Sequence, residues 1–335
     1  MMLLLLAAAT AAPAALQSYK DWIAGCDNIR VCQANALEME NGGENGLMLL
    51  VNRGPRPDDI ATLSVPMPDK ATPGARYTLR VDGKIAATFT APAAGEASVP
   101  LTGGLLGALS NGQRVALFDA SGAKHEEASL AGLAAALRYI DDQQKRVGTI
   151  GALKATGPKP NSAVPAPPAA PLITVPAPST KPPRTISAAK ATELIGSDSA
   201  TCDDATGKVE PRAFRLDATH SLVLVGHPCG NGAYNFFTSV YVLDESGPPR
   251  DAQFDIPPGM GETQADGTGD LTNGDWDAKS HRLSSYEKGR GIGDCGSSET
   301  FAWDGTRFRL VEQNAMGECR GSADYIRVWT ARANR

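Results

Sequence analysis

Six cysteines in three sequence-local couples constrain the fold of this 335-residue chain more than any other feature. The couples are Cys26 with Cys32, Cys202 with Cys229, and Cys295 with Cys319. An even number of closely spaced cysteines behind an export signal predicts disulfides. Such bonds persist only outside the cytosol, because cytosolic reductants would open them. We therefore expect three local bridges and a folded protein outside the cytosol, although other pairings of six cysteines stay open.

The first 15 residues have the pattern of a signal peptide. An apolar run, Leu3–Ala9, is followed by small residues that offer cleavage sites. The run is shorter than the about 20 residues that a membrane-spanning helix needs. Lys20 and Asp21 separate it from Ile23–Cys26, which otherwise resembles a lipid-attachment box, so Cys26 is interpreted as a disulfide half. We expect a periplasmic or secreted protein without a transmembrane segment.

The charge balance argues against nucleic acid as a partner. The chain has 32 Lys and Arg against 37 Asp and Glu, a net charge of −5. A nucleic-acid binder needs a surplus of cations to neutralise phosphates. The hydrophobic content of 42% is sufficient for two domains with cores of their own.

A proline-rich segment divides the chain. Ten of the 26 residues from Pro158 to Pro183 are proline, and proline lacks the N–H that ladders and helix interiors need. We expect a semi-rigid polyproline-type spacer that forms no ladder. The expected organisation is a signal peptide (1–15), an N-terminal β-rich domain (17–157), the Pro-rich linker (158–184) and a C-terminal disulfide-tied antiparallel β domain (185–335).

The N-terminal module reads mainly as strands and ends with a helix. Arg76–Val81 and Lys84–Thr90 flank the turn dipeptide Asp82-Gly83, which predicts a β-hairpin. Leucines three and four residues apart then predict an amphipathic helix over Ser129–Ile140, with Ser129 as its cap.

The C-terminal module begins with a short helix, Ser187–Leu194, and continues as hairpins. Trp276-Asp277 followed by Leu283, and Trp303-Asp304 followed by Leu310, share one spacing. In each, the aromatic closes a strand and the aspartate caps a turn. The predicted fold class is mainly β, with two β-rich modules of antiparallel sandwich or open-barrel type, a short helix ending the first module and another opening the second.

Signatures of catalysis and of metal binding are lacking in the sequence. Gly291–Gly296 matches GxGxxG, but no strand and apolar helix surround it as a dinucleotide site requires. HExxH and GxSxG do not occur. The histidines follow no metal-ligand spacing; they are His125, His220, His227 and His281. We therefore predict no catalytic residue, no metal and no cofactor.

The densest polar and aromatic cluster surrounds the third cysteine couple. Arginines beside aromatic rings suit carboxylate, phosphate or sugar groups, and glycines allow close approach of backbone. The candidate ligand-binding residues are Tyr286, Lys288, Arg290, Asp294, Trp303 and Arg320. The alternative is a tight turn in which the arginines pair with Asp294 and Glu287.

At these residues the chain resembles a proteobacterial exported family known only as domain-of-unknown-function family 1176. The motifs that carry the resemblance are Asp21–Asn28 with Cys32, Cys229–Asn235, Lys288–Gly296, Trp303–Gly305 and Cys319–Gly321. The N-terminal module also resembles, more loosely, invasion-associated locus B proteins. The resemblance implies a periplasmic β-rich protein; it implies no established activity and supplies no catalytic residues.

Two functional hypotheses follow. The first is a non-catalytic envelope protein of unknown role that binds an envelope protein or a cell-wall polymer. The second is a hydrolase or transferase acting on cell-wall material, with Asp294 and Glu287 as its carboxylates, since glycosidases need two carboxylates across a cleft.

Overall fold

The computed structural model describes residues 16–39, 46–196, 208–230, 232–256, 267 and 269–334. These residues are mainly β, arranged in several antiparallel sheets with three α-helices, which confirms the predicted fold class. The predicted leader and Cys202 lie outside the described residues. Among the described helices, none has the length and apolar character required to cross a membrane.

Two antiparallel sheets form the N-terminal module. The first has six strands in the order β1 (Gln17–Tyr19), β2 (Trp22–Cys26), β3 (Cys32–Ala36), β4 (Leu50–Arg53), β5 (Thr62–Val65) and β8 (Ala97–Pro100). The second has four, in the order β10 (Lys124–Ser129), β9 (Arg114–Asp119), β6 (Arg76–Val81) and β7 (Lys84–Thr90). The predicted hairpin is therefore confirmed as β6 and β7. Apolar side chains of both sheets meet in one core around Trp22, Leu63, Leu79 and Leu117.

The helix that closes this core begins later than the sequence predicted. It is α2 (Leu133–Gln143), and the prediction of Ser129 as its cap is wrong. Ser129 instead ends β10, paired with Arg114, and Gly132 occupies the N-cap with a φ of 99°. An added Cβ at Gly132 would lie 1.7 Å from the carbonyl oxygen of Tyr19, so only glycine fits this corner.

A second helix, α1 (Gly103–Asn111), was not predicted. Three of its nine residues are glycine, which has low helix propensity. It forms because Leu105 and Leu109, four residues apart, are buried in the core.

The C-terminal module consists of two facing antiparallel sheets and a short helix. One sheet contains β12 (Pro211–Arg215), β13 (Ser221–Gly230), β14 (Phe236–Leu243), β15 (Arg250–Asp251) and β16 (Leu271–Thr272). The other contains β17 (Asp275–Asp277), β18 (Arg282–Lys288), β19 (Gly296–Trp303), β20 (Phe308–Met316) and β21 (Ile326–Thr330). The opening helix is confirmed as α3 (Ala188–Ile195), and Ser187 Oγ accepts from the Lys190 amide as a cap.

The repeated Trp-Asp motif lies where the sequence placed it. Trp276 and Trp303 are buried in the core between the two sheets. Asp277 accepts the Lys279 amide at 2.9 Å, and Asp304 accepts the Thr306 amide at 2.9 Å. Each aspartate thus replaces a backbone acceptor in its turn, as the motif predicts.

The Pro-rich segment packs against the C-terminal module. A short 3₁₀ turn (Asn161–Ala163) is followed by β11 (Leu172–Thr174), which pairs in parallel with β22 (Arg332–Asn334). The expectation that this segment forms no ladder is therefore wrong. The pairing of β11 is possible because no proline lies between Pro171 and Pro176, so the residues between them keep their N–H groups. The domain boundaries and the linker role stay predictions.

The two modules share a small core and a set of polar contacts. Ile23 and Leu37 of the N-terminal sheet pack with Cys295, Met316 and Ile326. The β2–β3 turn adds polar contacts with β21. There Asp27, whose pKa burial raises, accepts from Arg327 Nε at 3.0 Å, and Asn28 Oδ1 accepts the Thr330 amide at 2.8 Å.

The inner face of β18, β19 and β20 changes from apolar to polar along its length. Leu283, Phe301 and Leu310 pair across the strands in the core, and Ser285, Glu299 and Gln313 pair further along the same face. Glu299 is buried, and its Oε1 has no hydrogen-bond partner among the described residues. Burial, together with the negative charge of Glu287, raises the pKa of Glu299 to about 7.

Replacement of Gly132 by alanine should destabilise the protein severely. The left-handed backbone and the overlap with the Tyr19 carbonyl together should lower the free energy of unfolding by about 3–5 kcal/mol. The matched control is Gly122→Ala, with a φ of 86° and open space around its Cβ position, which should cost only about 1 kcal/mol. Denaturant titrations of both variants would measure this, and equal losses would contradict the steric argument.

Glu299 should make stability depend on pH. The unfolded carboxyl titrates at 4.5 and the folded one at about 7, so the folded state binds the proton more tightly between these values. The free energy of unfolding should therefore fall as pH rises through this window. Glu299→Gln should be more stable than wild type by about 3 kcal/mol above pH 7 and equal to it below pH 4.5.

Denaturant titrations of wild type and Glu299→Gln at pH 4.5, 6 and 8 would measure this difference. Glu193→Gln, at an exposed position of α3, is the control for the change of side chain itself. A constant difference between wild type and Glu299→Gln at all three values would show that Glu299 does not titrate in this range.

Candidate functional site

The candidate site is the loop that joins β18 to β19. Its ends are bridged by a hydrogen bond from the Gly289 amide to the Cys295 carbonyl at 2.8 Å, and a turn inside it is closed by Gly293 N–H to Arg290 O at 2.9 Å. Gly296 has a φ of 135°, and an added Cβ there would lie 2.0 Å from the Glu287 carbonyl oxygen. Glycine is thus required for the loop to return to the sheet.

A disulfide fixes this loop to the connection between β20 and β21. The bridge joins Cys295 to Cys319 as the sequence predicted. Gly289 lies against it, since an added Cβ would be 2.7 Å from Cys295 Sγ. Tyr325 Oη donates to the Gly293 carbonyl at 3.2 Å, and burial raises the pKa of Tyr325. The loop is therefore braced at its base and at its middle.

Asp294 is committed to contacts within the loop and its neighbour. Its Oδ1 accepts from Arg290 Nε at 2.6 Å, and its Oδ2 accepts from Arg290 Nη2 and, at 2.7 Å, from the Gly321 amide. The bidentate bond from Arg290 lowers the pKa of Asp294 and raises that of Arg290. A carboxylate held in this way is a poor proton donor, which weakens the hydrolase hypothesis.

Arg320 joins the two modules. Its Nη1 donates to the Lys20 carbonyl, and its Nη2 donates to Asp21 Oδ1 at 2.7 Å and to the Glu38 carbonyl. The Glu38 amide returns a bond to the Arg320 carbonyl at 2.9 Å. Both terminal nitrogens of the Arg320 guanidinium are therefore bonded to the N-terminal module.

Trp303 lies at the far end of β19 from the loop. It lies seven positions after Gly296, which is about 23 Å along an extended strand. It is buried in the core, and its indole N–H donates to Asp217 Oδ2 at 2.8 Å. The structure therefore does not bring Trp303 together with the other candidate residues.

Three of the remaining candidates lie at one partly exposed surface, together with two residues that the sequence analysis did not single out. We call this the loop surface; it consists of Tyr234, Tyr286, Lys288, Arg290 and Ile292. The Lys288 ammonium lies 5.6 Å from the ring of Tyr234 and 5.7 Å from that of Tyr286. Tyr234 also approaches the backbone of the loop, since an added Cβ on Gly291 would lie 3.4 Å from its ring.

Tyr234 and Ile292 are 76% and 74% exposed, the highest values among the exposed large apolar side chains of the described residues. Both lie inside motifs of the family resemblance, Cys229–Asn235 and Lys288–Gly296. Sequence alone could not select them, because an isolated Tyr or Ile in a strand-rich module is normally assigned to the core.

The loop surface is suited to recognition by contact. It offers two aromatic rings, an exposed aliphatic side chain and two cations, contributed by β18, by the cross-linked β18–β19 loop and by the β13–β14 connection. No cluster of three or more His, Cys, Asp or Glu side chains in the described ranges is arranged to hold a metal. The chemistry available at the loop is hydrogen bonding, cation–π contact and apolar burial.

The cysteines indicate an oxidising compartment. Cys26–Cys32 and Cys295–Cys319 are bridged, and Cys229 is disulfide-bonded as well. Cys202, the expected partner of Cys229, lies outside the described residues. Disulfides of this kind fit an exported, non-cytoplasmic protein.

Comparison with known proteins shows what the chain is similar to. An uncharacterized protein of Escherichia coli K12, YpfG, is 27% identical over 96% of this chain and 94% of its own. The crystal structure of invasion associated protein B from Bartonella henselae covers 39% of this chain and 99% of its own, with 18% identity and a TM-score of 0.31. The profile of a family described as "Protein of unknown function (DUF1176)" matches residues 16–332, and the chain therefore belongs to this family.

Proposed function

We propose that the protein is a non-catalytic periplasmic envelope protein that binds another envelope protein through the loop surface. The signal-like leader of residues 1–15 and the disulfides support export. The observation that carries the proposal is the exposure of Tyr234 and Ile292 beside Lys288 and Arg290.

A protein partner fits this surface better than a small molecule. Tyr and Arg are the residue types that most often dominate the binding energy of protein interfaces, and an apolar side chain between them adds buried area. The cavity beside Trp276 and Trp303 and the cavity beside Arg53 and Leu106 are lined by other residues than those of the loop surface. A contact made by exposed aromatic, aliphatic and cationic side chains is typical of association between folded surfaces.

The charge of the loop surface indicates the character of the partner. Lys288 and Arg290 are the two cations of the loop surface, in a chain whose net charge is −5. Asp294 neutralises part of Arg290, whose side chain is nevertheless 44% exposed. We therefore expect a partner with an acidic rim around an apolar contact, and association that weakens at high salt.

Site-specific photo-crosslinking tests this function in intact cells. A photoreactive residue at position 292 should give discrete crosslinked products with one protein, because the native side chain there would be buried in the complex. Position 85 is the matched control, since Ile85 is 68% exposed in the N-terminal module and lies outside the loop surface. When Lys288→Glu is added to the protein with the photoreactive residue at position 292, the amount of crosslinked product should fall by about tenfold or more.

Three outcomes would contradict the proposal. Equal products from positions 292 and 85 would indicate collision without specificity. Products that contain only cell-wall glycan would replace the protein partner by the polymer. Absence of any product from position 292, with the protein present in the periplasm, would remove the loop surface as a binding site.

A further inference from the structure

One edge of β18 beside the loop surface is completed by side chains instead of a strand. β17 pairs with β18 only as far as Ser284. Beyond it, Tyr286 and Lys288 still pair with β19, but no strand of the described chain pairs with their other edge. The backbone groups there need other partners, because unpaired N–H and C=O groups cost free energy. Whatever bonds to this edge also holds two residues of the loop surface.

Asn235 supplies this edge with both a donor and an acceptor. Its Nδ2 donates to the Lys288 carbonyl at 2.8 Å, and its Oδ1 accepts from the Lys288 amide at 3.1 Å. One carboxamide thus makes the two bonds that a paired strand residue would make. Asn235 is buried, so the pair is sheltered from competition by water.

Asn273 extends this arrangement and connects it to the facing sheet. Its Nδ2 donates to the Tyr286 carbonyl at 2.8 Å and to Asn235 Oδ1 at 3.2 Å. Its backbone amide donates to the Phe236 carbonyl at 2.7 Å, and its Oδ1 accepts from the Phe236 amide at 3.1 Å. Because Phe236 begins β14, the two asparagines fasten the end of β18 to the other sheet of the module.

The same contacts place Tyr234 beside Lys288. Tyr234 directly precedes Asn235 in the β13–β14 connection, whereas Tyr286 belongs to β18. The Lys288 ammonium therefore lies near one aromatic ring from each side of the module. Without a link at this point the two rings could move apart, and Lys288 would lose one of its cation–π contacts.

The turn that carries Tyr234 needs an anchor of this kind. Ala233 and Tyr234 have φ values of 51° and 60°, a left-handed conformation that is unfavourable for residues other than glycine. The Asn235 amide donates to the Gly232 carbonyl at 2.8 Å and closes the turn. The side chain of Asn235 then fixes the closed turn to Lys288.

We propose that Asn235 is the positioning residue of the loop surface. It is only 5% exposed and does not itself offer a contact to a partner. By pairing with the backbone of Lys288 it keeps the ring of Tyr234 beside the Lys288 ammonium, so the surface forms only when the two sheets are correctly aligned. The effect of Asn235 on the pose of Lys288 is independent of the proposed function, and its effect on partner binding rests on that function.

Asn28 offers a matched control for Asn235. Its Nδ2 donates to the Thr330 carbonyl at 3.0 Å, and its Oδ1 accepts from the Thr330 amide at 2.8 Å. This is the same pair of bonds between an asparagine side chain and one strand residue, but it lies at the contact between the modules. Replacing either asparagine by alanine removes both bonds, so a loss of stability alone would affect the two variants alike.

NMR of the full-length protein with isotope-labelled lysine measures the pose of Lys288 without a partner. Aromatic rings shift the protons of a nearby ε-methylene group upfield, and Lys288→Arg identifies the signal by removing it. Tyr234→Ala gives the shift that remains when the ring from the β13–β14 connection is absent. Asn235→Ala should reduce the shift to that value, and Asn28→Ala should leave it as in the wild type.

Photo-crosslinking from position 292 in intact cells measures the consequence for binding. Asn235→Ala should lower the amount of product per molecule of periplasmic protein by about fivefold or more, because a cation–π contact and the order of the surface are lost. Asn28→Ala should leave the amount of product unchanged. Should Asn235→Ala fail to fold, Asn235→Ser and Asn28→Ser replace the pair in both measurements, because a serine side chain is too short to bond to both backbone groups.

Three results would overturn the role of Asn235. They are a wild-type Lys288 shift in Asn235→Ala, an equal change of this shift in Asn28→Ala, and full crosslinking by Asn235→Ala in spite of an altered shift. Absence of product from the otherwise unaltered chain at position 292 contradicts the proposed function instead, and the NMR comparison then still decides whether Asn235 positions Lys288.

Discussion

The contact between the N-terminal sheet and the last strands of the C-terminal module is the constraint on which the rest of the architecture depends. Each of the two disulfides whose partners are both described lies in a segment that makes this contact. Cys26–Cys32 closes the β2–β3 turn that carries Asp27, and Cys295–Cys319 adjoins Arg320. The two disulfides restrict the conformations of the unfolded chain, and in the folded protein they also hold the segments on both sides of this contact in position.

The apolar part of this contact is small, so its polar part decides the geometry. Ile23, Leu37, Met316 and Ile326 make only a minor cluster beside the two main cores. The guanidinium of Arg320 accordingly reaches two carbonyls and one carboxylate, a set of directional bonds that specifies one arrangement. Hydrogen bonds between modules specify how they meet, whereas the large cores stabilise each module by itself.

Local signals explain which predictions succeeded. Three local features were predicted correctly because each depends on residues only a few positions apart in the sequence. They are the β6–β7 hairpin, the Ser187 cap and the Trp-Asp turns. The start of α2 depends on Tyr19, more than 100 residues away, and α1 forms only because the core receives its leucines. Such long-range causes leave no periodic trace in the sequence.

The arginines show the same limit of prediction from sequence at the candidate site. The sequence grouped Arg290 with Arg320 because both flank the third cysteine couple. In the structure, Arg320 joins modules and Arg290 holds Asp294. Residue type and spacing locate a charge, but its function depends on which acceptors the fold places around it.

Rigidity connects the fold to the proposed binding. A contact on a flexible loop loses binding free energy when the loop becomes ordered, at a cost of about 0.5–1.5 kcal/mol for each immobilised side chain. The β18–β19 loop is already ordered by the Cys295–Cys319 bridge, the Arg290–Asp294 pair and the Tyr325 hydrogen bond. Asp294 and Cys295 order the loop that carries Ile292, and in the proposed complex they would contribute to binding without touching the partner.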